Sequence, residues 1–367
     1  MNIAFYIDEM NLRGVANSTF EYAKYNRKIL KNSSFIFYNK KNYRNRTDVI
    51  KRFKLMFKVI AVSNFNEIDA YIKKFKLNFI YTQKSGKKDL WVSKKIKTLV
   101  HSLYPQKLSE IHGYKYFFVS TWLCSRFSNN KMPYLPYIVS LNKTKKNLKK
   151  KLKLKKQDII FGCYGGDSSF DLKFVQDTLV DIVKKNKNIS FIFMNINKFC
   201  NNPRIKFLKG TTKEILKKKF INTCDGMIYA RSLGESFGLA CAEFANSNKP
   251  IISYRFNRHR AHIDNLSKSR IIEYSSRKDL SRILINFNKN KKILSRSKNN
   301  YINFKPNKVM KIFNNFLEKK EKKIKLNIID HFINYINFSK MNYFYIRHKF
   351  YQHYYNFFEK KIFYSSN

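Results

Sequence analysis

The sequence predicts an α/β protein with two domains, each built on a parallel β-sheet that is covered by helices. Three observations predict this class. Short apolar runs alternate with helical or polar segments along most of the 367 residues. The alternation stops at a lysine-rich segment and then restarts. The length also suits two domains of roughly 150 residues better than a single core.

The first domain opens with a short apolar strand, "NIAFYI", followed by a turn at Gly14 and a helix that carries Phe20, Ala23 and Ile29. Further apolar runs predict the remaining strands. They are "SSFIFY", "KLMFKVIAV", "LNFIYT", "IKTLVHS" and "YKYFFVS". We therefore assign residues 1–140 to an N-terminal domain with a Rossmann-like β/α alternation.

A change of composition marks the end of this domain. The segment "VSLNKTKKNLKKKLKLKKQ", residues 139–157, has nine lysines and no acidic residue. We predict a solvated linker over residues 141–157, and a nucleic-acid-binding arm is the alternative interpretation.

The alternation restarts after the linker. "DIIFGCYGG" predicts a strand that enters a glycine turn, and "SFDLKFVQDTLVDIVKKN" predicts a helix. The strands "ISFIFMN" and "RIKFLKG", the helix "TKEILKKKFINT" and the strands "CDGMIYA" and "KPIISY" follow. This order predicts a second Rossmann-like domain over residues 158–299.

The last segment, residues 300–367, has no glycine and is rich in aromatic and basic residues. Apolar residues at helical spacing predict two helix faces. The first face contains Ile328, Ile329, Phe332, Ile333 and Ile336, and the second contains Tyr343, Ile346, Phe350, Tyr354 and Phe357. Such helices either pack on the domains or lie at a membrane interface, where flanking basic residues are common.

The net charge of +51, from 75 Lys and Arg against 24 Asp and Glu, suits a partner that carries phosphates, such as a nucleotide, nucleic acid or anionic lipid. A compositional bias towards Lys, Asn, Ile, Phe and Tyr is a competing explanation, because the lysines are spread along the whole chain. A specific nucleic-acid partner is not expected, since no recognition motif is present.

The five cysteines are odd in number and widely spaced, which argues against a disulfide framework or a metal site. The N-terminus reaches Asp8 and Glu9 after a short apolar run, so it does not resemble a signal peptide. No apolar run approaches the roughly 18 residues of a membrane-spanning helix. We therefore expect a cytoplasmic protein, with peripheral contact to an anionic membrane left open.

Two glutamates stand out in the stretch "YARSLGESFGLACAEFANSNKPIISY". Glu235 follows a predicted strand between Gly234 and Gly238, and Glu243 lies eight positions later. A helix that begins near Ser236 or Phe237 would separate the two by roughly 9 Å.

The start of this helix has unpaired N–H groups and a positive dipole end, which favour phosphate. A sugar at Glu235, a diphosphate at the helix start and a ribose at Glu243 would span this distance. An acid that favours the helix dipole, together with an ordinary helix glutamate, is the alternative.

Because of the spacing of Glu235 and Glu243, the sequence resembles retaining glycosyltransferases of the GT-B fold. The hallmark of that family is the motif E-x7-E, two glutamates with seven residues between them. Here it is "ESFGLACAE", and the resemblance covers most of residues 159–254. It implies two Rossmann-like domains that face a cleft, with extra C-terminal helices in this chain. It further implies transfer of a sugar from a nucleotide sugar, such as a UDP- or GDP-sugar, with retention and without a metal or other cofactor.

The resemblance also implies roles for individual residues. Glu235 would contact hydroxyls of the donor sugar, and Glu243 would hold the ribose. The turn of Ser236, Phe237, Gly238 and Leu239 would meet the sugar and the phosphates through backbone amides. The glycine turn of the family resembles "FGCYGG", which places Gly165 and Gly166 beside the donor.

One departure concerns the cations that grip the diphosphate. Family enzymes often have an Arg and a Lys after the glycine turn, whereas this chain has "GGDSSFDLK", with Asp167 and Asp171. We expect Lys173 to act as the lysine that contacts the diphosphate. We expect Arg231 to supply the positive charge of the arginine that is missing after the glycine turn. A surface position is the alternative for Arg231.

In the N-terminal domain, His101 ends a predicted strand where related enzymes often place a histidine that faces the donor sugar. A structural histidine is the alternative. Lys84, Ser85 and Gly86 follow another strand, and Gly14 follows the first. Because ligands bind beyond the carboxyl ends of strands in open α/β sheets, we assign these residues to the acceptor side.

The sequence therefore predicts a glycosyltransferase that acts on a glycan, lipid or protein acceptor. A basic nucleic-acid-binding protein and a noncatalytic GT-B-like protein that binds sugar at a membrane surface are the alternatives.

Overall fold

The computed structural model describes residues 1–140, 144–287, 299–319 and 324–359. The chain divides into two compact units. The first comprises Met1–Ser140 and Asn303–Phe338, and the second comprises Leu141–Ile302 and Ser339–Asn367. The last segment of the sequence, residues 300–367, thus contributes to both units.

The first unit has a parallel sheet of six strands in the order β3-β2-β1-β4-β5-β6. The strands are β1 (Asn2–Ile7), β2 (Ser33–Asn39), β3 (Lys58–Val62), β4 (Phe79–Lys84), β5 (Lys97–Ser102) and β6 (Lys115–Phe118). The helices are α1 (Gly14–Lys28), α2 (Thr47–Lys54), α3 (Ile72–Phe75) and α4 (Thr121–Ser128). All six predicted strands are present.

Aromatic side chains cover both faces of this sheet. Along β1, Phe5 packs edge-on against Tyr81 of β4 at 5.4 Å between ring centroids. The next residue, Tyr6, points to the opposite face and packs against Phe65 at 5.1 Å. Since successive side chains of a strand alternate between faces, a strand buried on both sides has to be apolar throughout. This explains why an uninterrupted apolar run predicted β1.

The second unit has a parallel sheet of six strands in the order β14-β12-β10-β7-β8-β9. Its strands are β7 (Ile159–Tyr164), β8 (Ile189–Met194), β9 (Ile205–Leu208), β10 (Gly226–Tyr229), β12 (Ile251–Tyr254) and β14 (Ile271–Tyr274). A separate two-stranded pair joins β11 (Gly234–Glu235) and β13 (His259–Arg260). The helices are α5 (Lys173–Lys185), α6 (Glu214–Thr223), α7 (Leu239–Asn246), α8 (Ala261–Asp264) and α9 (Arg277–Ile285).

Both sheets have the doubly wound order of Rossmann folds. Numbered from the first strand of its unit, each sheet runs 3-2-1-4-5-6 across its width. The strand order reverses between β1 and β4 in the first sheet and between β7 and β10 in the second. The crevice at such a reversal, beyond the carboxyl ends of the strands, is where ligands bind in open α/β sheets.

The C-terminal helices are α10 (Pro306–Glu318) and α11 (Ile328–Tyr354), and a π-helical turn at Tyr355–Glu359 extends α11. The interpretation that both predicted apolar faces pack on the domains is wrong for most of their residues. Ile328, Ile329, Phe332, Tyr343, Ile346, Phe350, Tyr354 and Phe357 are all exposed. None of the helices within the described residues is both long and apolar enough to cross a membrane.

His101 lies in the aromatic core of the first unit, at β5. Its side chain is fully buried. The ring of Tyr22 approaches it edge-on, and its Nδ1 is 2.6 Å from the hydroxyl of Tyr81. Burial lowers the pKa of His101 to about 3, because the charged imidazolium would lose its hydration. The predicted contact with a donor sugar would therefore require the surrounding rings to move.

We expect His101 to make folding stability depend on pH. The unfolded chain binds a proton near pH 6.5 while the native imidazole stays neutral, so stability falls as the pH drops from 6.5 towards 3. Between pH 7 and pH 5 one such histidine costs roughly 2 kcal/mol. We expect the free energy of unfolding, measured with urea, to fall between pH 7 and pH 5 by roughly 2 kcal/mol less in His101→Gln than in wild type.

Equal losses in wild type and His101→Gln would show that His101 is charged in the native state.

Candidate functional site

The strand order reverses between β7 and β10 in the second sheet, and the two loops with the predicted donor residues begin at these strand ends. Gly165 and Gly166 follow β7 directly, and the loop with Glu235 follows β10. Because β7 and β10 are parallel neighbours, both loops leave the same edge of the sheet. The topology thus brings the glycine turn and the glutamate loop to one place.

Hydrogen bonds hold the glycine turn in shape. The side-chain amide of Asn195, after β8, donates to the carbonyl of Gly165 at 2.6 Å. The hydroxyl of Ser169 donates to the carbonyl of Gly166 at 2.7 Å. Both carbonyls are therefore engaged by the turn's own surroundings.

Asp171 joins the glycine turn to the glutamate loop. Its two carboxylate oxygens accept hydrogen bonds from the backbone N–H and the hydroxyl of Ser232, at 2.7 and 2.8 Å. The backbone N–H of Asp171 donates to the carbonyl of Ala230 at 3.0 Å. Asp171, which stands where a cation was expected after the glycine turn, thus has the structural role of joining two loops. Asp167 is exposed at the turn.

The glutamate loop depends on a glycine in a left-handed conformation. Gly234 has φ +71°, and a Cβ at this position would lie 2.0 Å from the carbonyl oxygen of His259. This close approach allows β11 to pair with β13, and the N–H of His259 donates to Leu233 O at 2.7 Å. Glu235 therefore lies in a short strand, where the sequence predicted a turn.

Two side chains hold the carboxylate of Glu235. The hydroxyl of Tyr229, at the end of β10, donates to Oε1 at 2.8 Å, and the guanidinium of Arg231 lies 3.3 Å from the same oxygen. Burial, and after it the neighbouring Glu235 carboxylate, raises the pKa of Tyr229. The Glu235 side chain keeps 25% of its surface exposed, so it is oriented and still accessible.

A second left-handed glycine starts α7. Gly238 has φ +86°, and a Cβ there would lie 2.8 Å from the Cβ of His262 and 3.0 Å from the hydroxyl of Tyr301. That hydroxyl donates to the carbonyl of Phe237 at 2.6 Å. The helix therefore begins at Leu239, later than the predicted Ser236 or Phe237. Its first-turn N–H groups have no acceptor within the helix.

Glu243 lies inside α7 as predicted, with only 5% of its surface exposed. Its Oε1 accepts a hydrogen bond from Lys217 of α6 at 2.7 Å. The ammonium of Lys217 also lies 5.5 Å from the centre of the Tyr164 ring, at the end of β7. The structure thus brings a lysine to Glu243 that the sequence analysis did not select. Lys217 stands within "KKK", and no feature of that run distinguishes one lysine from the others.

Lys173 lies at the start of α5 with a half-exposed side chain, where it forms an ion pair with Asp177 one helical turn later. Lys173 is therefore close to the glycine turn in sequence, and its ammonium forms an ion pair within its own helix.

The residues assigned to the acceptor side lie at the strand reversal of the first sheet. Lys84, at the end of β4, has a buried side chain that contacts Asp89 and His112, and burial lowers its pKa. Gly86 has φ +101°, while Ser85 is exposed. Gly14 opens α1 with no atom within 4 Å of a Cβ position.

The described residues hold no group of three or more His, Cys, Asp or Glu side chains that is arranged to bind a metal ion.

Comparison with known proteins gives a match only at the level of structure. No protein-family model matches the chain. No curated protein matches it in sequence. Similar solved structures include Anabaena HepE in complex with UDP and glucose, at TM-score 0.66 and 12% identity, over 87% of this chain and 100% of that one.

A glycosyltransferase from Rickettsia africae matches at TM-score 0.64 and 16% identity, over 88% of this chain and 99% of that one. The chain has the GT-B fold. A Listeria monocytogenes protein described as a UDP-N-acetylglucosamine 2-epimerase also matches, at TM-score 0.57 and 9% identity, over 89% of this chain and 99% of that one. In this GT-B chain, the predicted donor residues therefore lie at the strand reversal of the second Rossmann-like unit.

We expect Gly234→Ala to destabilise the protein by about 2 kcal/mol or more, because the left-handed backbone and the contact with a backbone carbonyl both oppose a Cβ. Urea unfolding measures this change. Gly14→Ala is the matched control, since its site has open space and no positive φ. It should be neutral or stabilising by up to about 1 kcal/mol. Similar effects of the two substitutions would refute the strain argument.

Proposed function

We propose that the protein is a glycosyltransferase that moves a sugar from a nucleotide-sugar donor to an acceptor hydroxyl, with retention of configuration and without a metal ion. The observation that carries the proposal is the pair of oriented carboxylates at the β7–β10 reversal. Glu235 is held by Tyr229 and Arg231, and Glu243 is held by Lys217. Anabaena HepE, a structure of similar fold, is described in complexes with UDP and with UDP-glucose.

The two carboxylates suit the two ends of a nucleotide sugar. A carboxylate accepts hydrogen bonds from neighbouring hydroxyls, which both a hexose and a ribose offer. We assign the donor sugar to Glu235 and the ribose to Glu243. The first turn of α7 lies between the two glutamates and directs backbone N–H groups outward. Together with Ser236, Phe237 and Gly238 before it, this turn, which begins at Leu239, supplies donors for the diphosphate.

The leaving group needs positive charge where its negative charge develops. When the bond between the anomeric carbon and the phosphate oxygen breaks, the electron pair stays on the nucleoside diphosphate. Arg231 and Lys217 each form an ion pair with one of the two carboxylates, which supports them as the cations for this role. We propose that they stabilise the diphosphate together with the helix amides, which requires no metal ion. Lys173 is the third candidate.

The acceptor would bind at the reversal of the first sheet, beside Gly14, Lys84, Ser85 and Gly86. The open space around Gly14 supports this assignment, because no packing atom of the described residues lies within 4 Å of a Cβ at this position. A glycan, a lipid or a protein hydroxyl fits the proposal equally well.

A UDP-sugar epimerase is a second candidate. The match to the Listeria protein described as a UDP-N-acetylglucosamine 2-epimerase favours it. Such an enzyme would use the same donor site and release an altered UDP-sugar in place of a transferred one. A noncatalytic GT-B-like protein would bind the donor and change nothing.

A thermal-shift titration with UDP, GDP and their glucose and N-acetylglucosamine conjugates tests the donor site. At 100 times its Kd, a donor stabilises the native state by about 2.7 kcal/mol. Glu243→Gln should reduce the shifts of the nucleotide and of the conjugate alike, since both contain the ribose.

Asp181→Asn provides the control, because it removes the carboxylate of another ion pair between helices of the same unit, that of Asp181 with Arg277. It should leave both shifts intact. No shift with any nucleotide, for a folded protein, would refute the donor site.

Glu235→Gln should weaken the binding of the donor sugar and leave the binding of the nucleotide unchanged. We expect the shift of the free nucleotide to remain, while the extra shift of its sugar conjugate disappears. Proton NMR of the nucleotide sugar after incubation then separates the activities: a glycosyltransferase releases the nucleoside diphosphate as the sugar passes to water or to an added acceptor hydroxyl, and an epimerase forms a new nucleotide sugar. Equal shifts for wild type and Glu235→Gln with both ligands would contradict the assignment of Glu235.

A further inference from the structure

The C-terminal helix α11 turns an apolar and basic face away from the protein. Tyr343, Ile346, Phe350 and Tyr354 follow one another at helical spacing on one side of the helix. Ile346 and Phe350 are 63% and 74% exposed. A face with this pattern normally packs inward, so its exposure needs an explanation.

The opposite side of the same helical segment is firmly docked. The hydroxyl of Tyr351 accepts a hydrogen bond from the backbone N–H of Arg277 at 3.0 Å, and its ring packs edge-on against Phe174 at 5.0 Å. The hydroxyl of Tyr355 donates to Asp177 at 2.7 Å. The exposed face is therefore not the result of an undocked helix.

Cations border the exposed face. Arg347 lies 5.9 Å from the centre of the Tyr343 ring, and Lys349 lies 5.5 Å from that of Tyr345. Among the described side chains of residues 324–358, Asp330 is the one acid, and it is fully buried. Within these described side chains, the face thus combines bulky apolar groups with positive charge and exposes no negative charge.

We propose that this face of α11 docks the protein on the surface of an anionic lipid bilayer. Aromatic and aliphatic side chains would enter the interface between headgroups and acyl chains, while Lys and Arg contact lipid phosphates. The proposal concerns attachment only and does not depend on sugar transfer.

Charge and chemistry favour a bilayer over other occupants. A second copy also has a net charge of +51 over its whole chain, and this opposes association through a face that is itself basic. Nucleic acid would neutralise the cations, yet its phosphates would not cover aliphatic side chains such as Ile346. An anionic bilayer satisfies both features of the face.

Flotation of the full-length protein with vesicles tests the proposal. The vesicles contain phosphatidylcholine alone or an equal mixture with phosphatidylglycerol. Because a protein of charge +51 adsorbs to any anionic surface, the decisive measurement is made at about 0.5 M salt, where charge interactions are strongly screened. Ile346→Ser/Phe350→Ser should lower binding to the mixed vesicles at least about tenfold there, through loss of apolar burial.

Leu55→Ser/Leu90→Ser is the matched control, since both leucines are exposed and lie outside α11. It should bind like wild type. Arg347→Gln/Lys349→Gln should lower the preference for mixed over neutral vesicles about tenfold at low salt. Circular dichroism checks that each variant is folded.

Depth of insertion gives an independent measurement. A tryptophan in Phe350→Trp should be quenched by lipids brominated on their acyl chains, measured against the two native tryptophans as background.

Three results would overturn the proposal. Equal vesicle binding of wild type and Ile346→Ser/Phe350→Ser at both salt concentrations would exclude docking through this face. A wild-type dimer that dissociates in this variant, without vesicle binding, would assign the face to a second copy. Loss of oligonucleotide binding in the variant, with vesicle binding unchanged, would assign it to nucleic acid.

Discussion

The loop between β10 and α7 depends on two positions that admit no side chain. Gly234 and Gly238 both have positive φ, and at each a Cβ would meet neighbouring atoms within 3 Å. The first close approach lets β11 pair with β13, and the second lets α7 start against Tyr301 and His262. Glu235 lies between the two glycines. Its position is therefore set by backbone constraints on either side, before any side chain contributes.

The surroundings of the two glutamates show how a strongly basic chain uses its few acids. Three acids at this site have fixed partners: Asp171 holds Ser232, Glu235 is held by Tyr229 and Arg231, and Glu243 is held by Lys217. Surface ion pairs contribute little to stability, but a buried carboxylate without a partner would be costly. With 5% exposure, Glu243 requires such a partner.

The sheets were largely predictable because buried parallel strands are apolar runs, and eleven of the twelve strands in the two six-stranded sheets coincide with such runs. β14 was missed because "IIEY" is short and contains Glu273, which pairs with Arg260 at 2.9 Å. The placement of Glu235 and Glu243 followed from local spacing. Local spacing did not predict the pairing of Lys217 with a glutamate, the bonds of Asp171 or the burial of His101. Each of these depends on contacts between residues that are distant in the chain.

The docked side of α11 includes polar side chains with directional bonds, and these bonds favour one register of the helix. In the first unit, the side-chain amide of Asn334 donates to the carbonyls of Gln106 and Phe127, at 3.0 and 2.7 Å. Buried Asp330 accepts from Asn129 at 3.2 Å. A hydrophobic seam tolerates sliding, whereas a slip by one turn, about 5.4 Å, would leave all these groups without partners. Directional bonds therefore define where the helix sits, and its outward residues are free to vary without changing that position.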